Sequence, residues 1–125
     1  MSDNAPPIEI RFTLEFDRKF KALKKRYRKI QSDLQPVLEE LQSGQLLGDQ
    51  IPGLDAIVLK LRIKNSDTKK GKSGGYRLIY WTAIDEVILL LDIYSKSDQS
   101  DLEFDEIRRL IRKYKEAYKD SDPDI

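Results

Sequence analysis

Residues 57–94 read IVLKLRIKNSDTKKGKSGGYRLIYWTAIDEVILLLDIY, and this stretch decides the fold. Residues 57–64 alternate between two faces, which predicts a strand with an apolar face on a core and a basic face outward. The inward set is Ile57, Leu59, Leu61 and Ile63, and the outward set is Val58, Lys60, Arg62 and Lys64. Tyr76–Thr82 is rich in aromatic and branched residues, and Val87–Tyr94 is almost continuously apolar. Both predict strands, the second of them central and buried on two faces.

Outward from this stretch, the N-terminal third predicts one strand and two helices. Ile8–Phe12 alternates, with Ile8, Ile10 and Phe12 on one face. Thr13 is suited to cap a helix with Glu15 in its first turn. The buried stripe of that helix is Phe16, Phe20, Leu23 and Tyr27, opposite a basic face.

A second helix is predicted from Ser32 to Ser43, with Pro36 in its first turn and Gly44 as its C-cap. Residues 44–55 predict a loop, as do residues 65–75, and Asp85 with Glu86 predicts a tight turn. Asp101 is suited to cap a last helix whose buried stripe is Phe104, Ile107, Ile111, Tyr114 and Tyr118.

The element order β-α-α-β-β-β-α therefore predicts an α+β fold. We expect an antiparallel β-sheet with a two-helix N-terminal hairpin and a C-terminal helix. The 125 residues fit one domain over 1–125, with its core at about 8–118, a short polar N-terminus and an acidic C-terminal tail.

Composition restricts the chemistry. The chain has neither cysteine nor histidine, so thiolate chemistry is excluded, and the commonest general base and transition-metal ligand are missing. Catalysis would have to use Lys, Arg, Tyr or carboxylates, and we expect no metal and no cofactor. The polar residues 1–7 do not resemble a signal peptide, and the longest apolar run, Val87–Leu91, is too short for a bilayer. The expectation is a soluble cytoplasmic protein.

Charge is segregated along the chain. The formal net charge is only +1, yet residues 60–77 contain seven Lys or Arg against one acid, Asp67. Such a segment favours a polyanion such as RNA or DNA, although a solvated loop is the alternative.

The segment GKSGGYRLIY (71–80) is the most specific motif. Its Gly-Lys-Ser is not a nucleotide-binding P-loop, because the upstream glycine has the wrong spacing and a strand follows instead of a helix. Together with the Asp-Glu turn, the apolar strand, the Ile93–Lys96 segment and the preceding Lys60–Arg62 strand, it resembles the RelE/ParE superfamily of toxins. The resemblance covers about residues 8–113 and is closest to the branch of RelE-like and HigB-like toxins.

This resemblance implies a toxin of a type II toxin–antitoxin system that cuts messenger RNA in the ribosomal A site. In such toxins the 2′-hydroxyl attacks the adjacent phosphate without a metal. That reaction needs a base, cations around the phosphorane and an acid. Lys, Arg and Tyr side chains can supply all three where neighbouring positive charge lowers their pKa values. The implied partners are a cognate antitoxin, the ribosome and messenger RNA, with no membrane.

The resemblance also implies a set of site residues. Arg77 matches the family arginine that contacts the scissile phosphate, and the basic strand before it is matched by Lys60, Arg62 and Lys64. Lys96 follows the strand after which the family has a catalytic acid or base. Tyr94 is a further catalytic candidate, and the expected RNA contacts are Lys64, Lys70, Lys72 and Tyr80. Alternatives stay open: a core role for each of the two tyrosines, and a solvated position for Lys64.

The sequence departs from the family pattern near the last helix. There RelE-like toxins often have a functional tyrosine or arginine, whereas this chain has Phe104 among acids that either repel RNA or charge the helix N-terminus (Asp98, Asp101, Glu103, Asp105 and Glu106). A ParE-like inhibitor of DNA gyrase and a weakened toxin that acts as an antitoxin-binding module are therefore the competing hypotheses.

Overall fold

The computed structural model describes residues 8–54, 56–68, 74–84, 87–98 and 104–121, with side chains at 83–84 and 117–121 left undescribed. Within these residues the chain forms three helices around one five-stranded sheet. The elements are β1 (Glu9–Phe12), α1 (Leu14–Arg26), α2 (Ile30–Gln42), β2 (Asp49–Gln50), β3 (Val58–Ile63), β4 (Tyr76–Ile84), β5 (Val87–Ser95) and α3 (Phe104–Ser121). The predicted α+β class is confirmed, and so are the meander of β3, β4 and β5 and the central position of β5.

The sheet is mixed and not antiparallel as predicted. Its strand order is β1-β5-β4-β3-β2, and β1 runs parallel to β5 with Glu9 opposite Val87. Parallel neighbours require a long crossover connection, and here α1, α2 and the other strands provide it. Alternation within β1 cannot reveal this direction, because a strand shows the same face pattern whichever way its neighbour runs.

Helix α1 begins where the sequence predicts. The hydroxyl oxygen of Thr13 accepts a hydrogen bond from the backbone N–H of Phe16 at 3.0 Å, so the predicted N-cap is confirmed. The same hydroxyl donates to the carbonyl of Leu91 at 2.9 Å, which ties the start of the helix to β5. Phe12, predicted to share a face with Ile8 and Ile10, is 56% exposed at the sheet edge, whereas those two residues are half-buried.

Helix α2 begins two residues earlier than predicted, at Ile30, and Pro36 is its seventh residue instead of lying in the first turn. Burial accounts for the earlier start, because Ile30 is fully enclosed in the core. The predicted Gly44 terminator is confirmed. Gly44 has φ +102°, and the N–H groups of Gly44 and Gln45 donate to the carbonyls of Leu41 and Glu40, the two bonds of a Schellman motif.

Two apolar cores lie on opposite faces of the sheet. The first, between the sheet and helices α1 and α2, contains Phe16, Leu23, Ile30, Leu34, Leu41, Leu59, Ile63, Tyr76, Leu78, Tyr80, Ile88, Leu90 and Ile93. The second, between the sheet and α3, contains Val58, Ile79, Trp81, Leu89, Leu91, Tyr94, Ile107, Leu110 and Ile111. Two predictions for β3 are therefore wrong: Val58 is buried under α3, and Ile57 lies before the strand, 48% exposed.

The loop predicted at 44–55 contains the short strand β2, which pairs Asp49 with Lys60 and Gln50 with Leu59. Gly48 permits this pairing, because a Cβ at that position would lie 2.5 Å from the carbonyl oxygen of Lys60. In α3, Ile107 and Ile111 are buried as predicted, but Phe104 is 44% exposed. The predicted cap Asp101, the turn at Asp85 and Glu86, and the side chain of Tyr118 lie outside the described residues. None of the described helices has the length and apolar character needed to cross a membrane.

Candidate functional site

Three predicted site residues form one row across the centre of the sheet. Arg62 on β3 is the direct cross-strand partner of Arg77 on β4, and Arg77 is the partner of Tyr94 on β5. Directly opposed residues project from the same face with Cβ atoms about 5 Å apart. We call Arg62, Arg77 and Tyr94 the site row, and it lies on the face of the sheet that α3 partly covers.

Two more predicted residues adjoin the site row. Lys60 is two residues before Arg62 on the same face of β3, opposite Ile79. Lys96 follows β5, and its backbone N–H donates to the carbonyl of Gly75 at 2.9 Å. Gly75 directly precedes β4, in which Arg77 is the second residue. The structure thus places Lys60 on the same face of the sheet as the site row, and the backbone of Lys96 directly after the end of β5.

Burial separates these side chains into two levels. Arg77 is only 4% exposed and Tyr94 only 3%, whereas Arg62 is exposed and Lys60 and Lys96 are half-buried. One guanidinium nitrogen of Arg77 donates to the carbonyl of Tyr76 at 3.2 Å. Arg77 therefore adds a buried guanidinium to the exposed Arg62 and the half-buried Lys60 and Lys96. Arranged in this way, the site can surround a phosphate with several positive charges.

The predicted RNA contacts are more scattered. Lys64 is exposed and lines a groove of about 420 Å³ between α2 and the end of β3, together with Arg62 and the acids Asp33 and Glu40. Lys70 and Lys72 lie outside the described residues. Only Arg62 is therefore shared between this groove and the site row.

Tyr80 does not belong to the site face. Its side chain is fully buried in the first core, on the opposite side of the sheet. The hydroxyl accepts a hydrogen bond from the N–H of Leu47 at 2.8 Å and donates to the carbonyl of the same residue, while burial raises the pKa of Tyr80. Expecting Tyr80 to contact RNA is inconsistent with this position, and its structural role is to fasten the 44–48 segment to the sheet.

A buried acid next to the site row was missed. Asp92 lies two residues before Tyr94 on β5, opposite Ile79, and is 1% exposed. The ammonium of Lys19 on α1 lies 2.9 Å from one carboxylate oxygen and 3.0 Å from the other, but only the second contact has hydrogen-bond geometry. Burial raises the pKa of Asp92, and Lys19 opposes this effect only in part. The sequence signal that could have identified Asp92 is that it is the one acid within the otherwise apolar segment Val87–Tyr94.

An irregularity in β5 accompanies Asp92. Ile79 pairs with Asp92 while its neighbour Tyr80 pairs with Leu90, so Leu91 is an extra residue in β5. A bulge of this kind locally redirects a strand and is common beside functional sites. Here it lies immediately before the segment that leads to Tyr94 and Lys96.

Three acids near the site row form ion pairs with arginines. Asp98, just after Lys96, accepts from the guanidinium of Arg26 on α1 at 2.5 and 3.3 Å. At the start of α3, Asp105 pairs with Arg108 and Glu106 with Arg109. Asp105 and Glu106 lie in the first helical turn, as one of the two sequence interpretations expected. Glu103 and Asp101 lie outside the described residues.

Among the residues that the structure describes, no group of three or more Asp, Glu, His or Cys side chains could hold a metal ion.

A family model described as the RelE toxin of the RelE/RelB toxin–antitoxin system matches residues 16–123. The chain belongs to the RelE toxin family. It is therefore the toxin of a toxin–antitoxin pair, and an antitoxin is its partner. A search of the curated proteins finds no match to this chain.

This RelE-family toxin keeps one feature of the pattern that its sequence resembles and departs from it in another. Its site row retains the Gly-Tyr-Arg strand with Arg77, next to the basic strand β3. At the start of α3, however, the chain has Phe104 in the region where the resemblance leads us to expect a functional tyrosine or arginine. The ring of Phe104 lies 5.9 Å from the guanidinium carbon of Arg108, so an aromatic surface remains there without a hydroxyl group.

Proposed function

We propose that this toxin is a cytoplasmic, ribosome-dependent endonuclease that cuts messenger RNA in the A site and so inhibits translation. The observation that supports the proposal is the site row, where Arg62, Arg77 and Tyr94 are direct neighbours across three strands. With Lys60 and Lys96 beside it, this arrangement suits one phosphodiester group better than a broad protein interface.

The proposed reaction is an attack within the RNA itself. The 2′-hydroxyl loses its proton to a base, its oxygen forms a bond to phosphorus, and the bond from phosphorus to the 5′-oxygen breaks. The leaving 5′-oxygen takes up a proton, which leaves a 2′,3′-cyclic phosphate and a 5′-hydroxyl. In this scheme Arg77 and Arg62 bind the phosphate oxygens, whose negative charge grows in the transition state.

In this scheme, residues around the phosphate transfer the protons. Lys60 lies beside Arg62 on β3, and Lys96 lies at the other side of the row, beyond Tyr94. The two lysines thus flank the phosphate position, which suits one to act at the 2′-oxygen and the other at the 5′-oxygen. Since the site has no histidine, the ribosome is expected to supply much of the rate enhancement by orienting the RNA for in-line attack.

The first experiment is induced expression in bacteria, with primer extension to map cuts in translated messengers. Wild type should arrest growth and give cuts in phase with codons, while Arg77→Ala should lower the cleavage rate about 10²–10³-fold because one buried donor to the phosphate is removed. Arg112→Ala, which removes an exposed arginine from α3, is the matched control and should cut like wild type.

Burial of Arg77 makes a folding control necessary. Arg77→Lys keeps the charge but loses the planar fork of donors, so it should fold and still cut poorly. Growth arrest without cuts, accompanied by gyrase-linked DNA damage, would instead identify a ParE-like inhibitor.

A second candidate function is a weakened toxin that serves as an antitoxin-binding module. The observation in its favour is Phe104, which has no hydroxyl group to donate at the start of α3. Absence of both growth arrest and cleavage, with antitoxin binding intact, would support it.

A further inference from the structure

A second basic surface lies outside the site row, at the end of α1. It consists of Lys24, Lys25, Arg28 and Lys29, which we call the basic turn because it spans the junction of α1 and α2. All four side chains are exposed, and none has an ion pair or hydrogen bond within the part of the chain that the structure describes. Residues 18–29 contain eight Lys or Arg and no acid. Two acids that reach residues 24–29, Asp98 and Asp67, bind the guanidinium of Arg26 and the backbone N–H of Lys29, and not the four side chains of the basic turn.

Tertiary contacts place the basic turn at the same end of the sheet as the site row, on the opposite face. The guanidinium of Arg26 binds Asp98 in the segment after β5, and the backbone N–H of Lys29 donates to the carboxylate of Asp67 after β3 at 2.9 Å. Between them, the ring of Tyr27 meets the ring of Tyr76, the first residue of β4, edge to face at 5.8 Å.

These contacts touch the same three strand ends that display the site row. Arg62 is the last residue but one of β3, Arg77 is the second of β4, and Tyr94 is the last but one of β5. The basic turn and the site row therefore share one end of the molecule, although they belong to different layers of it.

The composition of the basic turn indicates which kind of partner it binds. A protein segment that folds on binding needs exposed apolar surface to bury. The large apolar side chains found exposed in the described residues are Phe12, Leu14, Leu46, Ile57 and Phe104, all of them outside 24–29. Cations without apolar surface are suited to a phosphate backbone.

The same surface also distinguishes between kinds of nucleic acid. Proteins that bind single strands use exposed aromatic side chains on which bases stack. The aromatic residue of this segment, Tyr27, is half-buried, with its ring against Tyr76 and the guanidinium of Arg26 5.0 Å from its centre. A surface that offers charge without stacking matches double-helical RNA, which proteins recognise mainly through its backbone and shape.

We infer that the basic turn is a second RNA-binding site, which binds the phosphate backbone of double-helical RNA while the site row holds the messenger. The inference rests on the proposed function, since it names the folded RNA of the ribosome as the partner of that surface. Its effect is on docking: the basic turn raises the affinity for ribosomes and leaves the chemical step to the site row.

The test compares two triple variants with equal loss of charge. Lys25→Ala/Arg28→Ala/Lys29→Ala changes the basic turn, and Arg108→Ala/Arg112→Ala/Lys115→Ala removes three exposed cations from α3 as the matched control. The probes are a blunt-ended RNA duplex, a single-stranded RNA of the same length, and empty bacterial ribosomes, each titrated over a range of salt concentrations.

Loss of three phosphate contacts should make the slope of log affinity against log salt shallower by about 2–3 for the duplex and for ribosomes. The affinity should fall by at least about tenfold at moderate salt, and the α3 variant should keep the wild-type slope. Exchanging the three cations for one another (Lys25→Arg, Arg28→Lys, Lys29→Arg) should preserve binding, because the charge is retained. Equal losses in both triple variants, or weakened antitoxin binding with unchanged RNA binding, would overturn the inference.

Cleavage assays separate this inference from the proposed function. On ribosomes that hold a messenger, the basic-turn variant should need a higher toxin concentration but reach the wild-type cleavage rate at saturation. If the wild type fails to cut, the proposed function fails while the duplex-binding result still decides the role of the basic turn.

Discussion

Two rows of residues on the same three strands and the same face of the sheet have opposite characters. The apolar row is Val58, Trp81 and Leu89, which are direct cross-strand partners and lie in the core beneath α3. The site row, Arg62, Arg77 and Tyr94, begins four residues further along β3, about 13 Å away at 3.3 Å per residue. The comparison teaches that one face of the sheet is divided between stability and function according to where α3 lies.

The division also explains why the site row tolerates repulsion between its cations. Close positive charges destabilise a fold, and the second core on the same strands offsets that cost by burying apolar surface against Ile107, Leu110 and Ile111. The two rows should therefore respond differently to substitution.

The largest expected effect on stability comes from the apolar row. Trp81 is 6% exposed and packs edge to face on Tyr114 at 6.2 Å, so Trp81→Ala should lower the free energy of unfolding by about 3–5 kcal/mol. Urea denaturation followed by circular dichroism measures this. Protein that remains folded should keep its ribosome-dependent cleavage rate; a loss of rate as large as that of Arg77→Ala would show that the two rows are not separable.

A substitution in the site row should have the reverse result: a small change in stability and a large loss of cleavage. Arg62 is exposed, so Arg62→Ala should change the free energy of unfolding by no more than about 0.5 kcal/mol. Cleavage should fall by roughly 10–100-fold, because a cation beside the scissile phosphate is lost. Single-turnover assays on ribosomes programmed with a messenger give the rate, with Arg18→Ala on the outer face of α1 as the control arginine. A stability loss as large as that of Trp81→Ala would contradict the comparison.

Asp92 lies on β5 between the two rows. Its substitution should produce the smallest effect, a change in how stability depends on pH. Its pKa is raised by burial, in a setting where Lys19 attracts and Glu106 repels its charge. At pH values between its unfolded and folded pKa, the native state holds more protons than the unfolded state, so stability from this group falls as pH rises. The contribution of Asp92 to stability is fully present below its unfolded pKa and is lost as the pH rises through its folded pKa.

The measurement is urea denaturation of wild type and Asp92→Asn over mildly acidic pH. The difference between the two proteins isolates Asp92 from carboxylates whose pKa values are lowered, such as Glu15 and Glu106. The slope removed by Asp92→Asn should not exceed about 1.4 kcal/mol per pH unit, the limit for one proton. Parallel pH profiles for both proteins would show that the buried carboxyl does not titrate in this range.

Local patterns predicted much of the fold and part of the site. The cap at Thr13, the Schellman ending at Gly44 and the alternation of residues 59–63 depend on neighbours within a few positions, so they are legible in the chain. The resemblance around Gly71–Tyr80 likewise selected Arg77 and its basic neighbours. Their meeting in one row depended on the register of β3, β4 and β5, which the structure supplies.

Other features could not be predicted because they depend on contacts between distant segments. Alternation shows that Val58 and Arg62 share a face, but it does not show that α3 covers one and leaves the other exposed. Nor does it show that Lys19 reaches Asp92, 73 positions away.

The sequence by itself determined the types of the described elements except β2, the family resemblance and the residues available for chemistry, because helix caps, strand periodicity, motifs and composition are read from the chain without its fold. Only the tertiary structure decided the parallel direction of β1, the core position of Tyr80 and the placement of the basic turn at the same end of the sheet as the site row. Each of these depends on which surfaces meet across the sheet, and burial and charge pairing at those meetings are set by the whole fold.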